Sequence, residues 1–378
     1  MVIGIKGCMI LASISGIILA FGLSAAAQAP KNSDIKEIWT RKTDTVLSIS
    51  VSEEGNLAFS ERTRNAGFLR IYNQKDKSLE SWKCASTEKV VVSGNYVFAA
   101  HNIGQFSLFQ IKPSTQLWGR RLDSLCLSSL DYSHESEYGV VGDVPIDSVF
   151  TPAASTIWIF DQYGGIIWEK RLNVHLTCAA VNPRGYVVAA GEKFHPLGKN
   201  PSSTEGENAV YLFDPSEELL AHVQFDFPPI DIEIDKDAER IVVGLENGGM
   251  AVLNRNGKVL WEKDDIGGYL AIDEEGQRIV TTKSAHPVLL DQEGKVLWES
   301  QQEGTGGIDG LVISRNGKYI GIGTYDNRVV ILETASKKVL YQTKPEKKLS
   351  MVSLSNSYAG IAIEGEVKLL RLKEEPRR

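Results

Sequence analysis

The chain has 378 residues, 42% of them hydrophobic and 24% charged, and a formal net charge of −7. That balance excludes a disordered chain, a collagen-like repeat and a protein of many membrane spans. Lys6 is the only charge in the first 29 residues, so the remainder is slightly more acidic still, which argues against non-specific nucleic-acid binding.

The N-terminal segment reads as an export address. Met1 to Lys6 carries one positive charge, Gly7 to Leu23 is uninterrupted apolar or small sequence, and Ser24-Ala25-Ala26-Ala27-Gln28-Ala29-Pro30 follows. Ala25 and Ala27 place small residues where signal peptidase needs them, which predicts a cut after Ala27. The rival reading is an uncleaved anchor, since the uncharged run to Ala29 is long enough to span a bilayer. Gly7-Cys8 hints at a lipid-attachment site, but no apolar run precedes it. Export permits disulfides. Of the four cysteines, Cys84, Cys126 and Cys178 remain after Ala29, and Cys126 and Cys178 fall one position out of phase on neighbouring strands. Their side chains should diverge, so these cysteines read as small buried hydrophobes.

The rest of the chain, residues 35–372, is one repeat. Trp39, Trp82, Trp118, Trp168, Trp261 and Trp298 share a local context, as in Gly257-Lys258-Val259-Leu260-Trp261 and Gly294-Lys295-Val296-Leu297-Trp298. Tyr341 takes the Trp place after Lys338-Val339-Leu340, Ala221 takes it after Leu219-Leu220, and Trp158 lies outside the series. The marks recur every ~36 to ~53 residues, the period of a four-stranded propeller blade. Each repeat opens on a short alternating strand, such as Leu311-Val312-Ile313. A Gly turn such as Ser314-Arg315-Asn316-Gly317 follows, then a compact apolar strand, Tyr319-Ile320-Gly321-Ile322-Gly323. After a third strand, a second Gly turn, as in Asp291-Gln292-Glu293-Gly294, leads to the Trp strand. Gly supplies the positive φ that closes such hairpins. Helical periodicity is absent.

Three-strand units begin near residues 46, 90, 125, 176, 230, 268, 308 and 349. The last lacks a Trp strand, whereas Ile35-Lys36-Glu37-Ile38-Trp39-Thr40-Arg41-Lys42 is a Trp strand without a unit. The expected fold is therefore all-β: an eight-bladed β-propeller of four-stranded antiparallel blades, closed by the N-terminal strand and followed by a polar tail, 373–378. Closure of this kind removes the open seam of a ring of sheets.

These repeats resemble the eight-bladed quinoprotein-dehydrogenase-like propellers, whose tryptophan-docking turn reads Asp-x-x-(Thr)-Gly-Lys-x-x-Trp. They are also similar to WD40-like repeats in their Gly-Lys-Tyr-Ile hairpins. The turns Asn254 to Trp261, Asp291 to Trp298 and Asp161 to Trp168 are each one residue shorter than the usual form. The resemblance implies a blade-docking role for Trp39, Trp82, Trp118, Trp168, Trp261, Trp298 and Tyr341. The family includes alcohol and glucose dehydrogenases that use pyrroloquinoline quinone, and non-catalytic relatives such as the outer-membrane assembly lipoprotein BamB. The methanol-dehydrogenase type uses a vicinal Cys pair over its quinone, and no Cys-Cys occurs here. No nucleophile elbow, His-Glu-x-x-His, Cys-x-x-Cys or P-loop occurs either. The reading is a non-catalytic, BamB-like binding or scaffold module of the cell envelope, with no cofactor and no catalytic or metal-ligating residue, acting as a monomer on another envelope or extracellular protein. The alternative is an enzyme with its site at the channel mouth.

Loop lengths choose a face. In a propeller the turns joining strands one to two and three to four share one face, and the other connections share the opposite one. The tight Gly turns fall on the first. Two long insertions, Asp143 to Pro152 and Glu192 to Asn208, fall on the second in consecutive units. Loops longer than closure requires tend to bind something. Glu61, His101, Asp143, Glu192, Glu246, Lys283, Asp326 and Glu364 end the second strands and should ring the channel mouth on this insertion face. The expected partner-binding residues are His101, Asp143, Asp147, Phe150, Glu192, Phe194, His195, Glu246, Asp326 and Glu364: an acidic rim for a basic partner, with apolar anchors in the insertions.

Overall fold

The computed structural model describes residues 35–372, apart from positions 65, 85–86, 102–103, 123–125, 134, 145–153, 194–205, 285, 301–307, 327, 344–349 and 364. The export segment and the C-terminal tail lie outside the described residues. Among the described residues no helix is long and apolar enough to cross a membrane.

Thirty-two strands form eight four-stranded antiparallel sheets. Strand β1 (Ile35–Lys42) precedes blade 1, which is β2 (Thr45–Val51), β3 (Leu57–Arg62), β4 (Gly67–Tyr72) and β5 (Ser78–Cys84). Blade 2 is β6 (Thr87–Ser93), β7 (Tyr96–His101), β8 (Gln105–Gln110) and β9 (Thr115–Arg121). Blade 3 is β10 (Cys126–Ser133), β11 (Tyr138–Val144), β12 (Thr156–Phe160) and β13 (Ile166–Arg171). Blade 4 is β14 (His175–Val181), β15 (Val187–Glu192), β16 (Ala209–Phe213) and β17 (Leu219–Gln224). Blade 5 is β18 (Pro229–Ile234), β19 (Ile241–Leu245), β20 (Met250–Leu253) and β21 (Val259–Lys263). Blade 6 is β22 (Ala271–Ile272), β23 (Arg278–Lys283), β24 (His286–Asp291) and β25 (Val296–Glu299). Blade 7 is β26 (Ile308–Ile313), β27 (Tyr319–Thr324), β28 (Val329–Glu333) and β29 (Val339–Gln342). Blade 8 is β30 (Ser350–Leu354), β31 (Tyr358–Ile363), β32 (Glu366–Leu372) and, outermost, β1.

The orphan strand closes the ring as its sequence predicts. Residues 35–42 run antiparallel to β32, with Ile35 opposite Leu372 and Lys42 opposite Glu366. The strand also grips blade 1, since Trp39 Nε1 donates to the Asn73 carbonyl at 3.0 Å and Arg41 pairs with Asp76 at 2.6 Å.

Each blade has two apolar faces and buries both against its neighbours. The core is accordingly divided into eight clusters, one per blade interface. At the interface of blades 8 and 1, Trp39, Val367 and Leu369 pack with Val46, Leu57 and Phe59.

The outer strands explain why an apolar residue precedes most of the Trp positions. In seven of the eight, the residue just before the Trp position is a β-bulge; in blade 5, Leu253 faces Val259 and Val252 faces Trp261, with Leu260 the extra residue. The bulge re-aims the indole toward the next blade. There the third-to-fourth-strand turn receives it. Asp161, Asn254 and Asp291 each fold such a turn by accepting two backbone N–H groups, as Asp291 Oδ1 does from Glu293 at 3.1 Å and Lys295 at 2.7 Å. Trp118 and Trp261 donate to the Gln162 and Gln292 carbonyls of these turns at 3.0 and 2.9 Å. Gly294, at φ +80°, lies under the Trp261 ring, and a Cβ there would stand 2.9 Å from it. Burial is less uniform than the repeat implies: Trp39 and Trp168 are buried, whereas Trp82, Trp118, Trp261, Trp298 and Tyr341 are half-buried.

Candidate functional site: the axial channel and its insertion-face mouth

The first strand of each blade is an edge strand, so its channel-side N–H groups need partners. Side chains from the preceding blade supply many of them. Ser48 and Ser50 of β2 accept from the Val90 and Val92 amides at 3.0 and 2.9 Å. Ser129 and Asp131 of β10 accept from Ala179 and Val181 at 2.8 and 3.0 Å. Asp231 of β18 accepts from Leu270 at 2.9 Å, and Ser353 of β30 accepts from Val51 at 3.2 Å. This hydroxyl and carboxylate lacing was missed in the sequence, although its signal is there: polar residues at alternate positions of otherwise apolar first strands.

The lacing leaves Asp131, Asp231 and Glu233 inside the channel. Water reaches them, but they lie deep enough that burial raises all three carboxyls above their ordinary range. Glu233 is raised furthest, first by burial and then by repulsion from Asp231 and Asp131, while Lys89 of β6 opposes the shift. Cys178, on β14, forms no disulfide, and burial pushes its thiol up to about 12. The thiol is thereby held protonated, and Cys178 is half-buried where the sequence suggests a fully buried small hydrophobe; the side chains of Cys84 and Cys126 lie outside the described residues.

At the turn face, Arg315 of blade 7 meets Glu135 of blade 3 at 2.5 Å. The two blades are four apart in a ring of eight, so this pair spans the channel axis. Glu53 and Glu274, from blades 1 and 6, add their attraction to Arg315.

At the insertion face the channel opens beside a cavity of about 670 Å³ formed by blades 5 to 7. Ile230, Asp231, Gly267, Gly268, Tyr269 and Tyr325 line it. Tyr325 is 60% exposed and Tyr269 42%, and Phe227 and Ile230 stand exposed on the same face. No sequence motif marks this group, because its members come from the blade 4–5 and 5–6 connections, the start of β18 and the turn between β27 and β28.

The strand-end residues do not form the free acidic rim expected of them. Asp143 turns inward, is buried, and accepts the Thr156 amide at 2.7 Å. Glu61 is buried, accepts the Asp44 amide at 2.9 Å and pairs with Arg70. His101 is buried, with Nδ1 2.9 Å from Thr87 Oγ1. Glu192 is 3.3 Å from His175, Asp326 is paired with Arg328, and Lys283 lies 3.2 Å from Asp265. Among the described residues of this set, Glu246, exposed just beyond β19, alone keeps the expected disposition. A polar residue at a strand end can meet water or cap the next strand, and most of these cap or pair. Asp147, Phe150, Phe194, His195 and Glu364 lie outside the described residues. Among the described residues no three His, Cys, Asp or Glu side chains are grouped to hold a metal ion.

Burial lowers the His101 pKa to about 4. The folded state therefore holds this imidazole neutral. Its contribution is complete above the unfolded value near 6.5 and is lost as pH falls toward 4, amounting to about 3 kcal/mol. His101→Gln should flatten that part of the stability–pH curve relative to the parent chain in urea titrations across this window; identical slopes would contradict the neutral, buried assignment.

The fold and channel define a β-propeller. No family model matches the chain, and no curated protein matches it. Among solved structures it is similar to the computationally designed Ika8 protein, with 13% identity and a TM-score of 0.69 over 89% of this chain and 99% of that one. The C-terminal WD40 domain of Sif2 is similar at 13% identity and TM-score 0.68, covering 90% of this chain and 99% of that domain. Saccharomyces cerevisiae Sqt1 is similar at 11% identity and TM-score 0.66, covering 91% of this chain and 100% of that one. At such identities the likeness is one of fold.

Proposed function

We propose that the chain is an exported, non-catalytic propeller of the cell envelope that binds a protein partner on its insertion face, without cofactor or nucleic acid. The observation that carries this reading is the exposed set of Ile230, Tyr269 and Tyr325 lining the cavity at the channel mouth. Clustered tyrosines and aliphatics beside a concave surface suit protein recognition better than water. The two long connections, between β11 and β12 and between β15 and β16, leave the same face from blades 3 and 4. The docking-turn motif and the export-type N-terminus support the finer placement in a BamB-like branch.

Tyr269→Ser combined with Tyr325→Ser should weaken partner retention in pull-downs from the native envelope by at least about tenfold, since buried aromatic anchors contribute on the order of 2 kcal/mol each. Thermal stability should change little, because both residues are exposed and neither belongs to a core cluster. Undiminished retention by the folded double variant would overturn the reading.

A further inference from the structure

Asp231 belongs both to the wall of the mouth cavity and to the acidic set inside the channel. Glu233, two residues on along β18, lies on the same side of the strand about 7 Å deeper. Asp131 approaches from β10, and Cys178 from β14 adds no charge. The Lys89 ammonium attracts all three carboxylates, and the Arg315 guanidinium at the far end also attracts Asp131. Asp131 and Asp231 are occupied by backbone amides. The Glu233 carboxylate accepts no hydrogen bond and forms no ion pair among the described residues, although the residue is half-buried within the channel. An enclosed carboxylate without a partner either takes up a proton or is stabilised as the anion by a cation that reaches it. The Arg315–Glu135 pair obstructs the opposite end, so access is from the insertion face.

Resting on the reading above and specifying its partner, we propose that the channel is a blind acidic well that receives one lysine or arginine side chain of an extended partner segment, the flanking residues of that segment lying in the cavity against Tyr269 and Tyr325. The reach fits: a long flexible stem can carry its charged head about 6–7 Å below the backbone resting at the mouth. The cavity is also of peptide rather than ion dimensions.

The test uses the full chain and terminally blocked hexapeptide pools with a fixed central lysine, arginine, norleucine or glutamate, titrated by calorimetry. Lysine or arginine pools should bind at least about tenfold more tightly than norleucine, and glutamate should not bind. Glu233→Gln, nearly isosteric, should erase the preference for the cation. Lys89→Gln should strengthen cationic binding several-fold, an increase that a merely damaged fold would not produce. Equal binding of lysine and norleucine pools, or a preference untouched by Glu233→Gln, overturns the proposal. So does saturable binding of spermidine or Ca²⁺ that depends on Glu233 while no pool binds. If Glu233→Gln retains the native partner but the tyrosine double variant loses it, the well fails and the face assignment stands; if neither variant loses it, both fail.

Discussion

Removing residues 35–42 should unfold the whole ring at a much lower temperature, not loosen one blade. The deletion strips Trp39 from the interface of blades 8 and 1, along with its bond to Asn73 and the Arg41–Asp76 pair. It also uncovers Val367 and Leu369, which are fully buried in the intact chain, and leaves β32 as an unpaired edge. Loss of a buried Trp alone costs about 3–5 kcal/mol, comparable with the lower end of a domain's total stability. Because each core cluster is shared by two blades, blade 8 cannot fray without exposing its neighbours. The expected result is a single cooperative transition lowered by about 10 °C or more in calorimetry. A midpoint equal to that of the intact chain would show that β1 does not close the ring, and a separate early transition would show that blade 8 melts alone.

How much of this was legible in the sequence depended on whether the signal was local. Strand, Gly turn and Trp recur within each ~40-residue unit, so the blades and the surplus β1 could be read directly. The apolar residue before most of the Trp positions was visible too, but its cause, a bulge, shows only in the register. Asp143 and Glu61 were misplaced because a strand-end carboxylate has two outlets of similar energy, water or a neighbouring amide. Composition does not choose between them; the Thr156 and Asp44 amides do. The Arg315–Glu135 pair joins positions 180 residues apart, and only the geometry of a ring of eight brings them together. The well lies between these extremes. Asp231 and Glu233 alternate with Ile230, Ile232 and Ile234, which marks a strand with one polar face, but that the face looks inward follows only from closure.

The docking tryptophans should separate by what their indole N–H finds. Trp168 is buried, packs on Phe213 with ring centroids 5.3 Å apart, and its Nε1 has no hydrogen-bond partner among the described residues. The turn it faces, Asp214-Pro215-Ser216-Glu217, folds through the same carboxylate-to-amide bonds but carries Glu217 at φ 79° where Gly164, Gly257 and Gly294 stand in other blades. Trp261 instead is half-buried and donates its N–H to the Gln292 carbonyl. Truncation to alanine reads packing, so Trp168→Ala should cost about 3–5 kcal/mol and Trp261→Ala roughly 2–3 kcal/mol. Replacement by phenylalanine reads the hydrogen bond. Trp261→Phe leaves the Gln292 carbonyl without its donor, at about 1 kcal/mol beyond the packing loss. Trp168→Phe removes a buried donor that had no acceptor, and that gain offsets part of the lost volume. In urea titrations Trp168 should therefore be the more sensitive site to alanine and the less sensitive to phenylalanine. If both series rank the two positions alike, the indole N–H plays no part in docking and the bulged strands position the rings by packing alone.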